Sequence, residues 1–179
     1  MSEQHPHPDH IAVIGAGRMG RGIALSFAYA GITVTLVDLK ERIPLDADRL
    51  VQLAKDEIRA DLTFMAQIDL LEADNVDKVL SRVSVLSKPR ACDILSQIRI
   101  VFEAVPEIMQ AKSDTYAWLN QVVTRTTLIA STTSTMGVNE LAKLVNHPDR
   151  FLNAHWLNPA HLMPLVEVAR GEATSNASV

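Results

Sequence analysis

A doubly wound α/β fold, a mostly parallel sheet with helices on both faces, is predicted by three features of this sequence. Ile11-Ala12-Val13-Ile14 is an apolar run that breaks into Gly15-Ala16-Gly17-Arg18-Met19-Gly20 and then into a helical pattern. Thr33-Val34-Thr35-Leu36-Val37 reads as a second strand and ends on Asp38. Further along, Ile98 to Val105 and Thr127 to Ala130 are apolar, β-rich runs that each empty into a polar loop. Short buried strands alternating with helix patterns and capped by polar loops are the mark of a Rossmann-type arrangement.

The glycine spacing is that of a dinucleotide clamp. Gly15 serves the tight turn, Gly17 lets backbone approach a pyrophosphate, and Gly20 lets the helix pack closely on the strand. Arg18 and Met19 open a helix whose N-terminus offers free amides and the positive end of its dipole to an anion. Met19, Ile23, Phe27 and Ala30 fall on one face of that helix, and Gly31 ends it. Asp38 stands where a carboxylate accepts hydrogen bonds from an adenosine ribose. Its charge repels a 2′-phosphate, so NAD is expected over NADP, although Lys40 and Arg42 lie nearby.

From Pro44 to about Arg82 no chemistry is legible. Leu50, Leu53, Ala54, Glu57 and Ile58 suggest one helix, and Val76, Val79 and Leu80 another, with the charged residues on solvated faces. Val83-Ser84-Val85-Leu86 is a short strand, and Lys88-Pro89-Arg90 reads as a break. The run Ile98 to Val105 ends in Pro106-Glu107, and a helix follows with Met109, Tyr116, Leu119 and Val123 on one face. Thr127 to Ala130 is a buried strand that runs into Ser131-Thr132-Thr133-Ser134-Thr135. In an open parallel sheet ligands bind beyond the carboxyl ends of strands, so these hydroxyls and Glu107 face the same cleft as the glycine loop. Taken alone, the hydroxyl run also reads as turn chemistry capping a helix from Val138 to Val145. Last come Phe151 to Pro159 and Met163 to Val168, two apolar stretches joined by a Pro-containing turn that brings His155 and Glu167 together. Such a carboxylate fixes the imidazole tautomer and raises its basicity. His161, in the turn, carries no signal.

The totals bound the partners. A chain of 179 residues supports one well-buried domain. Seventeen basic against 21 acidic residues give a net charge of −4, which offers no positive field for nucleic acid. No apolar run approaches a membrane span. The single cysteine, Cys92, fits a reducing, cytoplasmic setting and reads as a packing or exposed residue rather than a nucleophile. Residues 1–10 read as a disordered arm. Its His5, His7 and His10 read as solvated rather than metal-binding, and no metal site is expected.

In their order and spacing, Gly15-Ala16-Gly17-Arg18-Met19-Gly20, Val37-Asp38, Glu103-Ala104-Val105-Pro106-Glu107 with Lys112, Ser131-Thr132-Thr133-Ser134, His155-Trp156-Leu157-Asn158-Pro159 and Leu165-Val166-Glu167-Val168 resemble the NAD-binding domain of the 3-hydroxyacyl-CoA dehydrogenases. The resemblance runs from about Asp9 to Val168. It implies NAD-dependent interconversion of an L-3-hydroxyacyl-CoA and a 3-ketoacyl-CoA. His155 is then the general base, Glu167 its orienting partner, Ser134 a hydrogen-bond donor to the substrate oxygen, and Asn158 an ordering residue of the histidine motif. Glu107 and Lys112 match residues lining the cofactor or the cleft. Thr132 stands where the family usually has asparagine, Asn153 where it has glycine and Trp156 where it has phenylalanine. The family carries a helical second domain and a homo-oligomer interface after this region, so the chain is expected to be shortened relative to the family. Two other readings stay open: a nucleotide-binding fragment without turnover, and a dehydrogenase of a free hydroxy acid or a carnitine-like alcohol.

Overall fold

The computed structural model describes residues 8–40 and 44–179; His5, His7 and Arg42 lie outside the described residues. The seven strands are β1 (His10–Ile14), β2 (Thr33–Asp38), β3 (Val83–Ser87), β4 (Ile100–Glu103), β5 (Leu128–Ser131), β6 (Phe151–Trp156) and β7 (Val166–Arg170). They form one sheet in the order β3-β2-β1-β4-β5-β6-β7. All neighbours are parallel except β6 and β7. The helices are α1 (Arg18–Tyr29), α2 (Pro44–Gln67), α3 (Val76–Leu80), α4 (Lys88–Leu95), α5 (Met109–Val122) and α6 (Val138–Leu141).

The period of two along β1 explains the two-sided wrapping. Ile11 and Val13 enter one core with Ile23 of α1, Ile58 of α2 and Val79 of α3. Ala12 and Ile14 enter the other with Ala91 of α4, Tyr116 of α5 and Leu141 of α6. On the first face Phe27, Phe102 and Trp156 pack as an aromatic trio in tilted and edge-on contacts, with centroids 5.1 to 6.0 Å apart. The strand order reverses between β1 and β4, which opens a crevice at their carboxyl ends. Among the described residues no helix is long and apolar enough to cross a membrane.

Three local expectations are corrected. His10, placed in the arm, is the first residue of β1, and its Nε2 lies 2.9 Å from Thr35 Oγ1. Burial there holds its imidazole below the usual histidine value. Lys88-Pro89-Arg90 starts α4 instead of breaking the chain, because a proline in the first helical turn removes no intrahelical hydrogen bond. The helix expected over 138–145 is shorter: α6 ends at Leu141 and passes into a 3-10 turn over Ala142–Leu144. The charged residues Glu57, Arg59 and Asp77 lie on solvated faces as expected, and at that surface Arg21 pairs with Glu57 and Arg59 with Asp77 at 2.7 Å, linking α1 to α2 and α2 to α3.

Candidate active site at the carboxyl ends of the strands

The glycine turn is fixed by backbone contacts. Gly15 has φ +107°, and a Cβ there would lie 2.6 Å from the Ala104 carbonyl oxygen, so β1 and β4 approach closely at the crevice. Its amide donates to the Val37 carbonyl at 2.8 Å. Gly20 sits deeper, where a Cβ would come within 1.9 Å of the Gly15 carbonyl oxygen. Gly17 differs, since a Cβ there would meet no protein atom within 4 Å. It is the N-cap of α1, which has no side-chain cap and no acidic residue in its first turn. Open space above uncapped amides is what a phosphate-bearing cofactor needs. Arg18 is exposed there, and Met19 is half-buried against the core beneath.

Asp38 ends β2 half-buried, its Oδ1 accepting the Lys40 amide at 3.2 Å. A cavity of about 640 Å³ opens beside it, bounded by Leu39, Lys40, Leu86, Lys88 and Trp118. Lys88 Nζ lies 5.4 Å from the centre of the Trp118 ring.

At the other end of the cleft, the antiparallel register pairs His155 with Glu167 directly across β6 and β7. Their side chains meet, His155 Nδ1 lying 2.8 Å from Glu167 Oε2. This leaves Nε2 as the nitrogen available to a ligand. The turn between the strands rests on α1, where Ser26 Oγ donates to the Ala160 carbonyl at 3.1 Å. Asn158, in that turn, is exposed and precedes a cis proline bond. Ser134 is exposed on the loop after β5.

Glu107 is committed to that loop. One oxygen, Oε1, accepts the amides of Ser134 and Thr135 at 3.1 Å each, the Thr135 hydroxyl at 3.0 Å and the Thr133 hydroxyl. Partial burial pushes its carboxyl up. The bonds from Thr133 and Thr135, with the Lys112 charge behind them, outweigh that and hold it below the ordinary glutamate value. A carboxyl lowered by folding contributes stability above its unfolded pKa and loses it as pH falls through the folded value. Wild type is therefore expected to lose thermal stability below about pH 4 faster than Glu107→Gln, as differential scanning fluorimetry across pH will show.

Lys112 does not line the cleft, contrary to the expectation for it. Its side chain is fully buried beneath the floor, paired with Glu103 at 2.9 Å. Glu103, Tyr116 and Asn153 were given no role by the sequence. The first two lie in the cluster around Lys112. Asn153 reaches from β6 to the hydroxyl loop, its Nδ2 donating to the Thr133 carbonyl at 3.1 Å.

Residues 10–179 match the family model described as 3-hydroxyacyl-CoA dehydrogenase, NAD binding domain. The chain belongs to the 3-hydroxyacyl-CoA dehydrogenase family. It is 35% identical to the fatty acid oxidation complex subunit alpha of Acinetobacter baylyi, over 99% of this chain and 23% of that protein. Among solved structures, the (S)-3-hydroxybutyryl-CoA dehydrogenase of Ralstonia eutropha superposes with a TM-score of 0.85 at 29% identity, covering 96% of this chain and 57% of the other. The 3-hydroxybutyryl-CoA dehydrogenase of Escherichia coli K12 gives 0.82 at 32% identity, over 94% and 34%. The chain thus spans under a quarter of that curated relative and little more than half of the Ralstonia enzyme. Membership of this family makes NAD the cofactor of the glycine clamp, in agreement with the carboxylate at Asp38.

Proposed function

We propose that this domain is the cofactor half of an oxidoreductase that interconverts an L-3-hydroxyacyl-CoA and a 3-ketoacyl-CoA, with His155 and Glu167 as its proton-transfer pair. The observation that carries the reading is the 2.8 Å contact between His155 Nδ1 and Glu167 Oε2 at the carboxyl end of the sheet. When bound, NAD accepts the hydride from the carbinol carbon. The chain does the rest. Amides at the start of α1 hold the pyrophosphate, and Asp38 accepts the hydroxyls of the adenosine ribose. His155 Nε2 takes the hydroxyl proton in the oxidative direction and returns it in the reductive one. Glu167, accepting from Nδ1–H, selects the tautomer that leaves Nε2 free and offsets the charge on the imidazolium. The Ser134 hydroxyl donates to the substrate oxygen, and Glu107 fixes the backbone that carries it. Asn158 orders the same rim.

The names of the relatives, a fatty acid oxidation subunit and 3-hydroxybutyryl-CoA dehydrogenases, support a coenzyme A thioester as substrate. The test is calorimetric titration with NADH, followed by NADH oxidation in the presence of acetoacetyl-CoA. Wild type is expected to bind and to turn over. His155→Ala should lower the rate by about a hundredfold or more, and Glu167→Gln by about tenfold, both with NADH affinity unchanged. Binding without turnover would reduce the function of this chain to nucleotide binding. Oxidation supported by a free hydroxy acid's keto form but not by the thioester would move the substrate class.

A further inference from the structure

Four donors from three segments, the turn after β4, α5 and β5, meet on one buried carboxylate. Glu103, the last residue of β4, and Lys112, on α5, are both fully enclosed. Lys112 Nζ donates to both Glu103 oxygens, at 2.9 and 3.0 Å. Oε1 also accepts the Val105 amide at 2.9 Å. Oε2 also accepts the Tyr116 hydroxyl at 2.5 Å and the Ser131 hydroxyl at 2.7 Å. A buried ion pair is a poor device for stability, because apolar residues of similar volume fill the same space without the cost of stripping two charges of water. What it supplies is direction. Lys112 and Tyr116, one turn apart on α5, aim the carboxylate at the exits of both β4 and β5, where Glu103 and Ser131 are register partners.

Above this point a second carboxylate closes the ring. Val105 leads within two residues to Glu107, whose Oε1 takes the Ser134 and Thr135 amides. Ser131 leads within three residues to Ser134. The loop carrying Ser134 is therefore held at its root by Glu103 and at its crest by Glu107. Asn153 adds a tie from β6, the strand that bears His155.

We propose that Glu103 is a positioning residue for Ser134, acting through Ser131 and the Val105 turn, with Lys112 as its counterion. The proposal rests on the placing of Ser134 in the substrate cleft and adds the group beneath the floor that sets its place. In the proposed cofactor arrangement AMP would occupy only the Asp38 and glycine-turn end of the cleft, whereas the nicotinamide end of NADH would extend toward the hydroxyl loop. The AMP and NADH affinities of the 179-residue chain therefore separate a positioning role from a structural one. Glu103→Gln/Lys112→Met, which removes both charges together, is expected to bind AMP as wild type does and NADH roughly tenfold more weakly. Ser131→Ala, which leaves both charges in place, is expected to lose roughly threefold for NADH and nothing for AMP. Equal losses for AMP and NADH, or no loss for NADH in either variant, overturn the proposal.

A ligand-free measurement covers the case in which wild type fails to bind NADH, a result that sinks the functional reading and not this one. NMR titration of the Glu107 carboxyl should move back toward the ordinary glutamate value in Ser131→Ala, because the loop donors no longer stay in place. An unchanged titration overturns the proposal.

Discussion

Gly20→Ala is expected to abolish NAD binding and to lower stability by at least about 3 kcal/mol. The added methyl would sit 1.9 Å from the Gly15 carbonyl oxygen, which is backbone, so no side chain can swing aside. Gly15 cannot retreat either. It is held by the hydrogen bond its amide donates to the Val37 carbonyl, and the Ala104 carbonyl stands where a Cβ of its own would lie. The helix must lift from the strand, which moves the amides of the first turn of α1 away from the pyrophosphate. Gly17→Ala is the informative contrast, since its methyl meets nothing in the protein and enters only the space a cofactor would use. It should melt like wild type and still bind NADH more weakly. Thermal melts alongside NADH calorimetry check both, and a Gly20→Ala protein with wild-type affinity would remove the close-packing argument.

Lys112→Met is expected to cost about 3–5 kcal/mol at neutral pH in urea unfolding, because it leaves the Glu103 carboxylate buried with hydrogen bonds but no counterion. Glu103→Gln/Lys112→Met should be more stable at neutral pH than Lys112→Met alone, which marks the loss as an unpaired charge and not a packing defect. A single variant as stable as wild type would show that water reaches the pair. The neighbouring Tyr116 hydroxyl points the same way: burial first, then the Glu103 charge and the bond to it, push its pKa well above the ordinary tyrosine value.

Much of this fold was legible because its signals are local. The runs that became β1, β2, β4 and β5 are apolar on both faces, as buried parallel strands must be, and the turn after β1 carries its own glycines. The pairing of His155 with Glu167 was also within reach, because two strands joined by a Pro-containing turn permit few registers. What escaped the sequence was carried by contacts between distant residues. Glu103 looks like any polar end of a strand until Lys112, Tyr116 and Ser131 are folded around it, nine to 28 positions away. The family resemblance alone puts Lys112 at the cofactor or the cleft; the face of α5 that it occupies turns its side chain into the core. Lys88-Pro89-Arg90 is ambiguous for the opposite reason, because a proline signals a helix start as readily as a chain break and nothing local separates the two.

The antiparallel pairing of β6 with β7 separates two properties of the cleft that need not evolve together. Residues 157–165 lie outside the ladder that sets His155 against Glu167, so exposed side chains of this rim can change while that contact keeps its spacing, provided the buried Ala160 keeps its seat on α1. A single insertion within β7 has the opposite effect, since side chains alternate along a strand and Glu167 would turn to the other face. The rim thus tolerates change on its exposed side, whereas the ladder tolerates changes of side chain but not of count.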